Sequence, residues 1–422
     1  MLKEIEIENF KSFKHLDFKC RNLNLLTGLN GSGKSSLIQT LRFINEFESV
    51  FARSGSQRIG GYVDLFSDTF KVGTYRDLLY CYAGKKKSQR VAHIKACATE
   101  SDEPVELRIE PVPSPAIGLR DYMDQPQAFV RYEAAVRAYS RRPSHRDAEN
   151  KFDPENLYVR EELIAALAPV CITNYLSADR VAPEAIHELD ASISLGNSAN
   201  GRRAASYLAN LLGLGVESWC CHPNCKSDFL INQVNAWLDE ISPGAYVYPR
   251  KIPELSRVVL SYGYDHGRGA PQFRPINVGF GLSYILPMLV LLLTASEGNM
   301  LVIENPEAHL HPRGQAEVGK LLARAAAAGI QLFVETHSDH VINGVRVAVK
   351  EGLLSPEDVQ IAFFERKRHA DITKSKAQTS DVPRTEIYST MQEILIDRSG
   401  SLSVYPDGFM DEWNNQLLEL LK

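Results

Sequence analysis

Runs of apolar residues along the chain predict a mixed α/β core. Ile5 and Ile7 alternate with three glutamates, which predicts a strand with one buried face, and we expect it at the edge of a sheet. Residues 23–26, 300–303 and 331–334 are apolar almost throughout. Continuous apolar runs of this length are typical of parallel strands covered on both faces. The core is therefore predicted to contain buried parallel strands within a mixed sheet.

Helical patterns follow two of the buried runs. One helix is predicted to begin near residue 34, and an alanine-rich helix is predicted over residues 315–328, with Gly329 ending it. Because the second helix joins two buried strands, residues 300–335 are predicted to form a βαβ unit.

Composition places few limits on function. The chain has 422 residues, of which 44% are hydrophobic and 23% charged, as in ordinary globular proteins with two lobes or large insertions. The net charge of -5 gives no global basic footprint, so charge alone predicts no nucleic-acid binding. There is no apolar run of about 18 residues and no leader-like N-terminus, so neither a membrane span nor export is predicted. Seven scattered cysteines favour reduced thiols and a cytoplasmic location.

A glycine-rich loop separates the first buried strand from the first helix. The strand before it and the helix after it are the context that a P-loop requires. Glycines let backbone N–H groups turn toward phosphate oxygens, and the start of the helix adds its positive dipole. We expect Lys34 to reach the β- and γ-phosphates of ATP and the Ser35 hydroxyl to bind Mg²⁺. The residues predicted to bind ATP are Gly28, Asn30, Gly31, Ser32, Gly33, Lys34, Ser35 and Ser36.

Acidic residues and a histidine follow the other two buried strands. Parallel strands present their carboxyl ends at one edge of a sheet, where ligands bind. Glu304 is the candidate for the Mg²⁺ shell, and Glu307 is the candidate for polarising the attacking water. His337 is placed to contact the γ-phosphate or that water, although a structural histidine is the alternative.

These motifs together resemble the ABC-type ATPase heads of the SMC, RecF and OLD (overcoming lysogenization defect) group. Residues 7–13 resemble the start of such heads, residues 304–312 their Walker B motif and D-loop, and residues 335–338 their switch-histidine segment. Residues 175–183 and 405–409 resemble the OLD-like branch with a C-terminal extension of unknown function. The resemblance implies an α/β P-loop NTPase of ABC-ATPase type, with a mixed sheet core and a C-terminal extension. Helical stretches within residues 126–168 add a predicted helical insertion to this fold.

Residues 99–116, which are rich in proline and acids, are predicted to be a boundary between lobes or an exposed loop. We predict a division of the chain into four parts. They are residues 1–98, the N-terminal part of the head with the P-loop; residues 99–170, a mainly helical insertion; residues 171–350, the C-terminal part of the head; and residues 351–422, the extension. A basic run at residues 140–146 could contact nucleic-acid phosphates, and a solvated helix end is the alternative. A polar loop is expected within residues 360–380.

Such heads close as dimers, with a signature motif of one subunit over the ATP of the other. The candidate here includes Gly279, Gly281 and Ser283. The glycines would let the backbone approach a phosphate, and Ser283 is expected to cap the following helix, with Pro287 near its first turn. The alternative is a glycine-containing loop before a core helix. The resemblance implies an ATP-dependent homodimer, which could form higher oligomers.

One departure from the family pattern concerns catalysis. Asn305 stands where many such heads have the glutamate that activates water, and an amide cannot accept the proton. Either Glu307 takes over, or hydrolysis is slow and ATP acts as a dimer clamp. His309 and His311 could form a metal site, although a D-loop position at the dimer interface is favoured.

Three other features leave alternatives open. Gln57 and residues 73–77 are both candidates for the Q-loop. The cluster of Cys220, Cys221, His222 and Cys225 could hold Zn²⁺, although packed thiols are favoured. No Asp-x-Asp follows His337, so we expect no TOPRIM nuclease in this chain.

The leading hypothesis is Mg²⁺-dependent ATP hydrolysis by a head-to-head dimer. The dimer would act as a switch or motor that controls a separate effector protein, as in prokaryotic anti-phage defence. One alternative is a RecF- or SMC-like repair ATPase that binds DNA directly. The other is an ATP-binding scaffold with little turnover.

Overall fold

The chain folds into two compact units. The computed structural model describes residues 1–53, 60–67, 70–83, 90–99, 104–111, 127–132, 167–190, 199–264, 270–370 and 385–421. The first unit comprises Met1–Cys20, Gly28–Cys171 and Phe363–Gln392, and the second comprises Arg21–Thr27, Ile172–Ala362 and Glu393–Lys422.

The secondary structure is mixed. The strands are β1 Leu2–Phe10, β2 Phe13–Lys19, β3 Leu23–Gly28, β4 Gly60–Asp64, β5 Ala92–Ala98, β6 Val105–Pro111, β7 Gln127–Tyr132, β8 Asn174–Leu176, β9 Ile186–Glu188, β10 Ala245–Ile252, β11 Arg257–Tyr264, β12 Met300–Glu304, β13 Gln331–Glu335, β14 Val359–Ala370 and β15 Thr385–Ile394. The α-helices are α1 Lys34–Arg53, α2 Tyr75–Leu78, α3 Ala204–Asn210, α4 Leu230–Ile241, α5 Phe280–Leu293, α6 Pro312–Ala327, α7 Asp339–Lys350 and α8 Glu412–Leu420.

The first unit contains an antiparallel sheet in the order β2-β1-β5-β6-β7-β4. Strand β1 pairs with both β2 and β5, so the predicted edge position of this strand is wrong. Its alternation arises because one face of an antiparallel sheet is buried and the other meets solvent. The ring of Phe43 on α1 packs edge-on against Phe10 of β1, with ring centroids 6.1 Å apart. This helix therefore helps to bury the apolar face of the sheet.

Within residues 99–170, where a mainly helical insertion is predicted, the described residues include the strands β6 and β7. Within β6, buried Val105, Leu107 and Ile109 alternate with more exposed charged residues. That period of two is a strand pattern, and its outward-facing charges made the segment resemble an exposed loop. The basic run at residues 140–146 and the Q-loop candidate Gln57 lie outside the described residues.

The second unit contains the predicted parallel strands. Strand β13 pairs in parallel with β3 on one side and β12 on the other, and β12 pairs in parallel with β8. Both β12 and β13 are buried almost throughout, which confirms the strand type expected from their apolar runs. Helix α6 joins them as the predicted βαβ unit. It begins earlier than predicted because Pro312 occupies its first turn, where proline is favoured.

The second unit also contains an antiparallel sheet in the order β10-β11-β9 and the apolar helix α5. This helix is buried on nearly all sides, as its uniformly apolar sequence requires. Pro287 lies in its interior rather than near the first turn, so that prediction is wrong. Strand β14 passes from this unit into the first, where it neighbours β15. The prediction of a loop over residues 360–380 is wrong for residues 360–370, because strand β14 extends to Ala370.

No helix in the described ranges combines the length and the apolar character that crossing a membrane requires.

Two glycines allow α6 and α7 to pack closely in the second unit. A Cβ atom at Gly319 would lie 2.2 Å from the carbonyl oxygen of Val341. A Cβ atom at Gly344 would lie 2.1 Å from the carbonyl oxygen of Ala316. Both obstacles are backbone atoms, which cannot rotate away as a side chain can. The helix pair behind β12 and β13 therefore depends on the absence of side chains at these positions.

We expect Gly344→Leu to lower the free energy of unfolding by about 3 kcal/mol, because the helices must separate to admit the side chain. The urea midpoint of the purified chain measures this. Gly213→Ala is the matched control, since the added methyl group would meet nothing within 4 Å. Equal midpoints for both variants would contradict the close packing of these helices.

Candidate nucleotide site

The glycine-rich loop belongs to the first unit and begins where β3 ends. Gly28, Gly31 and Gly33 have φ angles of +129°, +71° and +123°. A residue with a side chain would be strained at these angles. Helix α1 begins at Lys34, as predicted, so the loop leads into a helix N-terminus. Successive N–H groups at such a turn form an anion-binding surface.

The polar side chains of the loop fit a bound phosphate group. Lys34 is 3% exposed, and its Nζ donates to the carbonyl oxygens of Gly28 at 2.8 Å and Leu29 at 3.1 Å. Ser32 is 2% exposed, and its Oγ has no hydrogen-bond partner among the described residues. A buried hydroxyl without a partner is costly, and a phosphate oxygen would satisfy it. The loop therefore has the cation and the donors that a triphosphate needs.

The remaining loop residues differ in their surroundings. Asn30 and Ser35 are exposed, so both side chains are accessible to a ligand. Ser36 is half-buried, and its Oγ accepts a hydrogen bond from the Ser12 hydroxyl at 2.9 Å. Ser36 thus ties the start of α1 to the turn between β1 and β2, a contact that the motif alone did not predict.

Glu304 ends β12 in the second unit with both carboxylate oxygens engaged. The Tyr175 hydroxyl donates to Oε1 at 2.9 Å, and the Ala178 N–H donates to Oε2 at 3.0 Å. These two hydrogen bonds hold the carboxylate in one orientation at the end of the strand. Sequence reasoning missed both partners, although residues 175–183 already stood out as a motif.

Arg180, from the same motif, supports the strand end from the protein interior. Its Nη2 donates to the carbonyl oxygens of Glu304 at 2.7 Å and Asn305 at 3.3 Å, and its Nη1 donates to that of Tyr284 at 2.9 Å. Burial lowers the pKa of Arg180 to about 10, against the opposing effect of Glu307, so it stays charged at neutral pH. A buried cation here offsets the surrounding acids and fixes the backbone that carries them.

Glu307 connects the turn after β12 to the turn after β13. Its Oε2 accepts from the Thr336 hydroxyl at 2.8 Å, and its Oε1 accepts from the backbone N–H of His337 at 2.8 Å. The N–H of Asn305 donates to the carbonyl oxygen of Glu335 at 2.8 Å. The side chain of His337 is exposed. The structure thus brings together the predicted residues of the two strand ends within the second unit.

Asn305 has a conformational reason for replacing the usual acid. Its φ angle is +45°, in the left-handed region that few residues other than glycine adopt. Asparagine is among the side chains that tolerate this region best. The backbone conformation of the turn after β12 therefore favours asparagine at this position, independently of any contact that the side-chain amide makes.

The candidate signature segment differs from its prediction at the helix cap. Helix α5 begins at Phe280 with Gly279 as its N-cap, so Ser283 lies inside the first turn and the predicted cap is wrong. A Cβ atom at Gly281 would lie 2.6 Å from the carbonyl oxygen of His309. Gly281 therefore allows the D-loop segment to approach, whereas Gly279, with nothing within 4 Å, faces open space.

The two D-loop histidines have separate roles. The His309 ring packs edge-on against Tyr284 at 4.7 Å, and the Nδ1 of His311 accepts from the Arg313 N–H at the start of α6. Within the described ranges, the residues with metal-ligand spacing are instead Glu6, Glu8 and His15, at the surface of β1 and β2. The two rings thus contact different neighbours, and their position at a dimer interface stays a prediction.

The cysteine cluster has contacts typical of packed thiols. Cys220 Sγ donates to the carbonyl oxygen of Glu217 at 3.0 Å, and Cys225 Sγ donates to that of Ser227 at 3.4 Å. Burial raises the pKa of Cys220 to about 12, so this thiol is protonated at neutral pH.

Residues 73–77, the other Q-loop candidate, form a capped turn. The N–H and hydroxyl of Thr74 each donate to Asp77 Oδ2 at 2.8 Å, at the start of α2. The burial of Tyr75 and Leu78 on this short helix anchors it to the first unit.

The P-loop, the buried parallel strands and the acids at their ends are features of a P-loop ATPase domain. Residues 82–343 match the family model described as "AAA domain, putative AbiEii toxin, Type IV TA system". That match covers more than half of the chain, so the chain belongs to this AAA domain family. Residues 4–96 match a second model, described as "AAA domain", and residues 354–420 match "Protein of unknown function (DUF3696)". The predicted ATPase class and α/β fold class are confirmed.

Solved structures of SMC heads are similar to the chain at low sequence identity. An SMC head bound to the C-terminal winged-helix domain of ScpA has 14% identity and a TM-score of 0.48, over 92% of this chain and 98% of that one. An SMC head with an extended coiled coil, bound to the C-terminal domain of ScpA derived from Pyrococcus furiosus, has 13% identity and a TM-score of 0.43, over 100% and 99%. The SMC head domain from Thermotoga maritima has 11% identity and a TM-score of 0.39, over 86% and 94%. No curated protein matches the chain.

Proposed function

We propose that the chain binds Mg²⁺-ATP on the loop of residues 28–35 and hydrolyses it. The observation that carries this proposal is the loop itself, with its left-handed glycines, its buried Lys34 and the hydroxyl of Ser32, which has no partner in the described part of the chain. The N–H groups of the loop and Lys34 bind the phosphates, and Ser35 and Glu304 bind Mg²⁺. The metal, when bound, neutralises charge that develops on the phosphates.

The residues that follow β12 and β13 carry the hydrolytic step in this proposal. Glu307 accepts the proton of the attacking water, since each of its oxygens has a further lone pair. Its bonds to Thr336 and to the N–H of His337 hold that carboxylate in place. The imidazole of His337 contacts the γ-phosphate or the water, and the Asn305 amide orients the water without taking its proton.

We propose further that ATP closes a head-to-head dimer through the signature segment. Gly279 and the N-terminus of α5 would contact the ATP of the partner subunit, which supplies the missing side of the site. Ile276 and Phe280 are large apolar side chains beside Gly279, and they are 71% and 52% exposed. Exposed apolar residues around a predicted contact surface favour burial against a second protein, here another copy.

Light scattering with and without Mg²⁺-ATP tests the dimer. We expect Glu307→Gln, which should retain ATP, to double its mass when ATP is added. Phe280→Ser should bind ATP and remain a monomer, and Leu255→Ser, at a 66% exposed position on the connection between β10 and β11, is the control that should still dimerise. A monomer of Glu307→Gln at saturating ATP would contradict the switch.

The biological role that we propose is control of a separate effector in cytoplasmic anti-phage defence. The family description names a toxin of a toxin–antitoxin system, which supports this class of role without identifying the effector. A stoichiometric complex with the protein encoded beside this chain would support it. A salt-dependent mobility shift of DNA by the purified chain would instead favour the DNA-repair alternative.

Asn305 favours a second candidate function, an ATP-binding scaffold with little turnover. An amide at this position binds water but cannot act as a base. Comparable, negligible turnover by the wild type, Lys34→Ala and Glu307→Gln would establish the scaffold and remove the enzyme proposal.

A further inference from the structure

We propose that β14 and β15 form part of the nucleotide site, with Arg366 as a ligand of the terminal phosphate of ATP. This inference rests on the proposed function, because it adds residues to the same phosphate-binding loop. It gives a role to the part of the chain that matches a family of unknown function, residues 354–420.

All three left-handed glycines of the loop face residues of these two strands. A Cβ atom at Gly31 would lie 2.8 Å from Nη2 of Arg366 on β14, and one at Gly33 would lie 2.9 Å from Cβ of Ser389 on β15. A Cβ atom at Gly28 would also collide with a backbone carbonyl of β14. The loop and these parts of the strands belong to the first unit. The glycines thus leave room for β14 and β15 as well as allowing the backbone to turn.

Arg366 has the charge and the free donors that a phosphate ligand needs. Its side chain is exposed beside Gly31, and in the described part of the chain no carboxylate lies within salt-bridge distance of it. The adjacent Lys367, by contrast, pairs with Glu365 at 2.9 Å. A guanidinium presents several N–H donors in a plane that matches phosphate oxygens, and its charge persists at every physiological pH. Arg366 therefore adds a second cation to the loop that contains Lys34.

Ser389 supplies an independent observation that points to a ligand at the same place. It is 1% exposed, and its Oγ has no hydrogen-bond partner among the described residues. Its backbone N–H donates to the carbonyl oxygen of Ser12 at 2.9 Å, which holds β15 beside the loop. The unpartnered hydroxyls of Ser32 and Ser389 therefore both lie close to Gly33. A bound anion, by accepting from these hydroxyls, would remove the cost of burying them.

The test compares the affinities of ATP and ADP by fluorescence titration with labelled nucleotides. Because Arg366 contacts the terminal phosphate, we expect Arg366→Ala to weaken ATP binding about tenfold or more and to leave ADP binding within about twofold. Arg366→Lys should retain part of the preference for ATP, since it keeps the charge but loses the paired donors. Lys367→Ala is the matched control, because it removes a neighbouring cation that is already paired.

The outcomes separate this inference from the proposed function. If Lys34→Ala loses ATP binding while Arg366→Ala keeps the wild-type ratio of ATP to ADP affinity, the proposed function survives and this inference is wrong. If Lys34→Ala also binds ATP like the wild type, both are wrong. If the thermal unfolding midpoint of Arg366→Ala equals that of the wild type, the change in the ratio of ATP to ADP affinity comes from the site and not from a loss of folding.

Discussion

Replacing Lys34 with alanine is expected to reduce ATP turnover at least about a hundredfold, the usual result of removing a group that stabilises developing charge. The Nζ of Lys34 lies within the loop, bonded to the carbonyl oxygens of Gly28 and Leu29. Alanine would leave those acceptors and any bound phosphate without their cation. Phosphate release measured under saturating Mg²⁺-ATP tests the loss, and nucleotide titration should show weakened binding as well.

Lys320→Ala is the matched control for the loss of a lysine. Lys320 lies on α6, where it is half-buried and pairs with Glu317 at 3.1 Å. Its turnover should equal that of the wild type. If Lys34→Ala hydrolyses ATP as fast as Lys320→Ala, the loop does not bind the reacting phosphates.

Replacing Glu307 with glutamine is expected to lower turnover about a hundredfold while leaving ATP affinity nearly unchanged, as expected when a general base is lost. The structure explains why this variant should fold. The amide oxygen of glutamine can still accept from the N–H of His337, and its NH₂ group can donate to Thr336 after the hydroxyl rotates. The substitution thus removes the base while keeping both contacts.

The measurement is a comparison of single-turnover hydrolysis with nucleotide titration. Glu317→Gln, at a half-buried position on α6 that pairs with Lys320, serves as the control for a neutralised glutamate. Wild-type turnover in Glu307→Gln would contradict the role of Glu307 and leave Glu304 or His337 to be tested as the group that activates water. If Glu307→Gln lost both ATP binding and turnover, Glu307 would be needed for binding ATP rather than for activating water.

The parallel strands and the P-loop were predictable because each has a strong local pattern. Continuous apolar runs mark strands covered on both faces, and the glycine spacing of the loop is meaningful only between a strand and a helix. Strand β6 was harder to predict. Charged residues between Val105, Leu107 and Ile109 made β6 resemble an exposed loop, although their spacing of two was already that of a strand.

The partners of the site residues could not be predicted, because they come from distant parts of the chain. Tyr175 and Arg180 reach the end of β12 from more than a hundred residues earlier. Gly31 and Arg366, which lie side by side, are more than three hundred residues apart in the sequence. The periodicity of apolar residues does not predict contacts between residues that are distant in the sequence. An unusual motif, such as residues 175–183, was the one available sign that this segment contacts the site.

The start of α5 shows a different limit of sequence reasoning. Serine is a good helix cap, so Ser283 was a reasonable choice for the beginning of this helix. Gly279 instead adopts the N-cap position, and the helix includes Ser283 in its first turn. A Cβ atom at Gly281 would also collide with the carbonyl oxygen of His309, a neighbour that the glycine pattern did not predict. A glycine motif alone does not reveal which neighbour requires the space.

A crystal structure of the chain with Mg²⁺ and a slowly hydrolysed ATP analogue tests the central claim most directly. We expect the β- and γ-phosphates to lie within hydrogen-bonding distance of the backbone N–H groups of residues 31–35 and of Lys34 Nζ. A nucleotide bound elsewhere, or phosphates far from Lys34, would contradict the account.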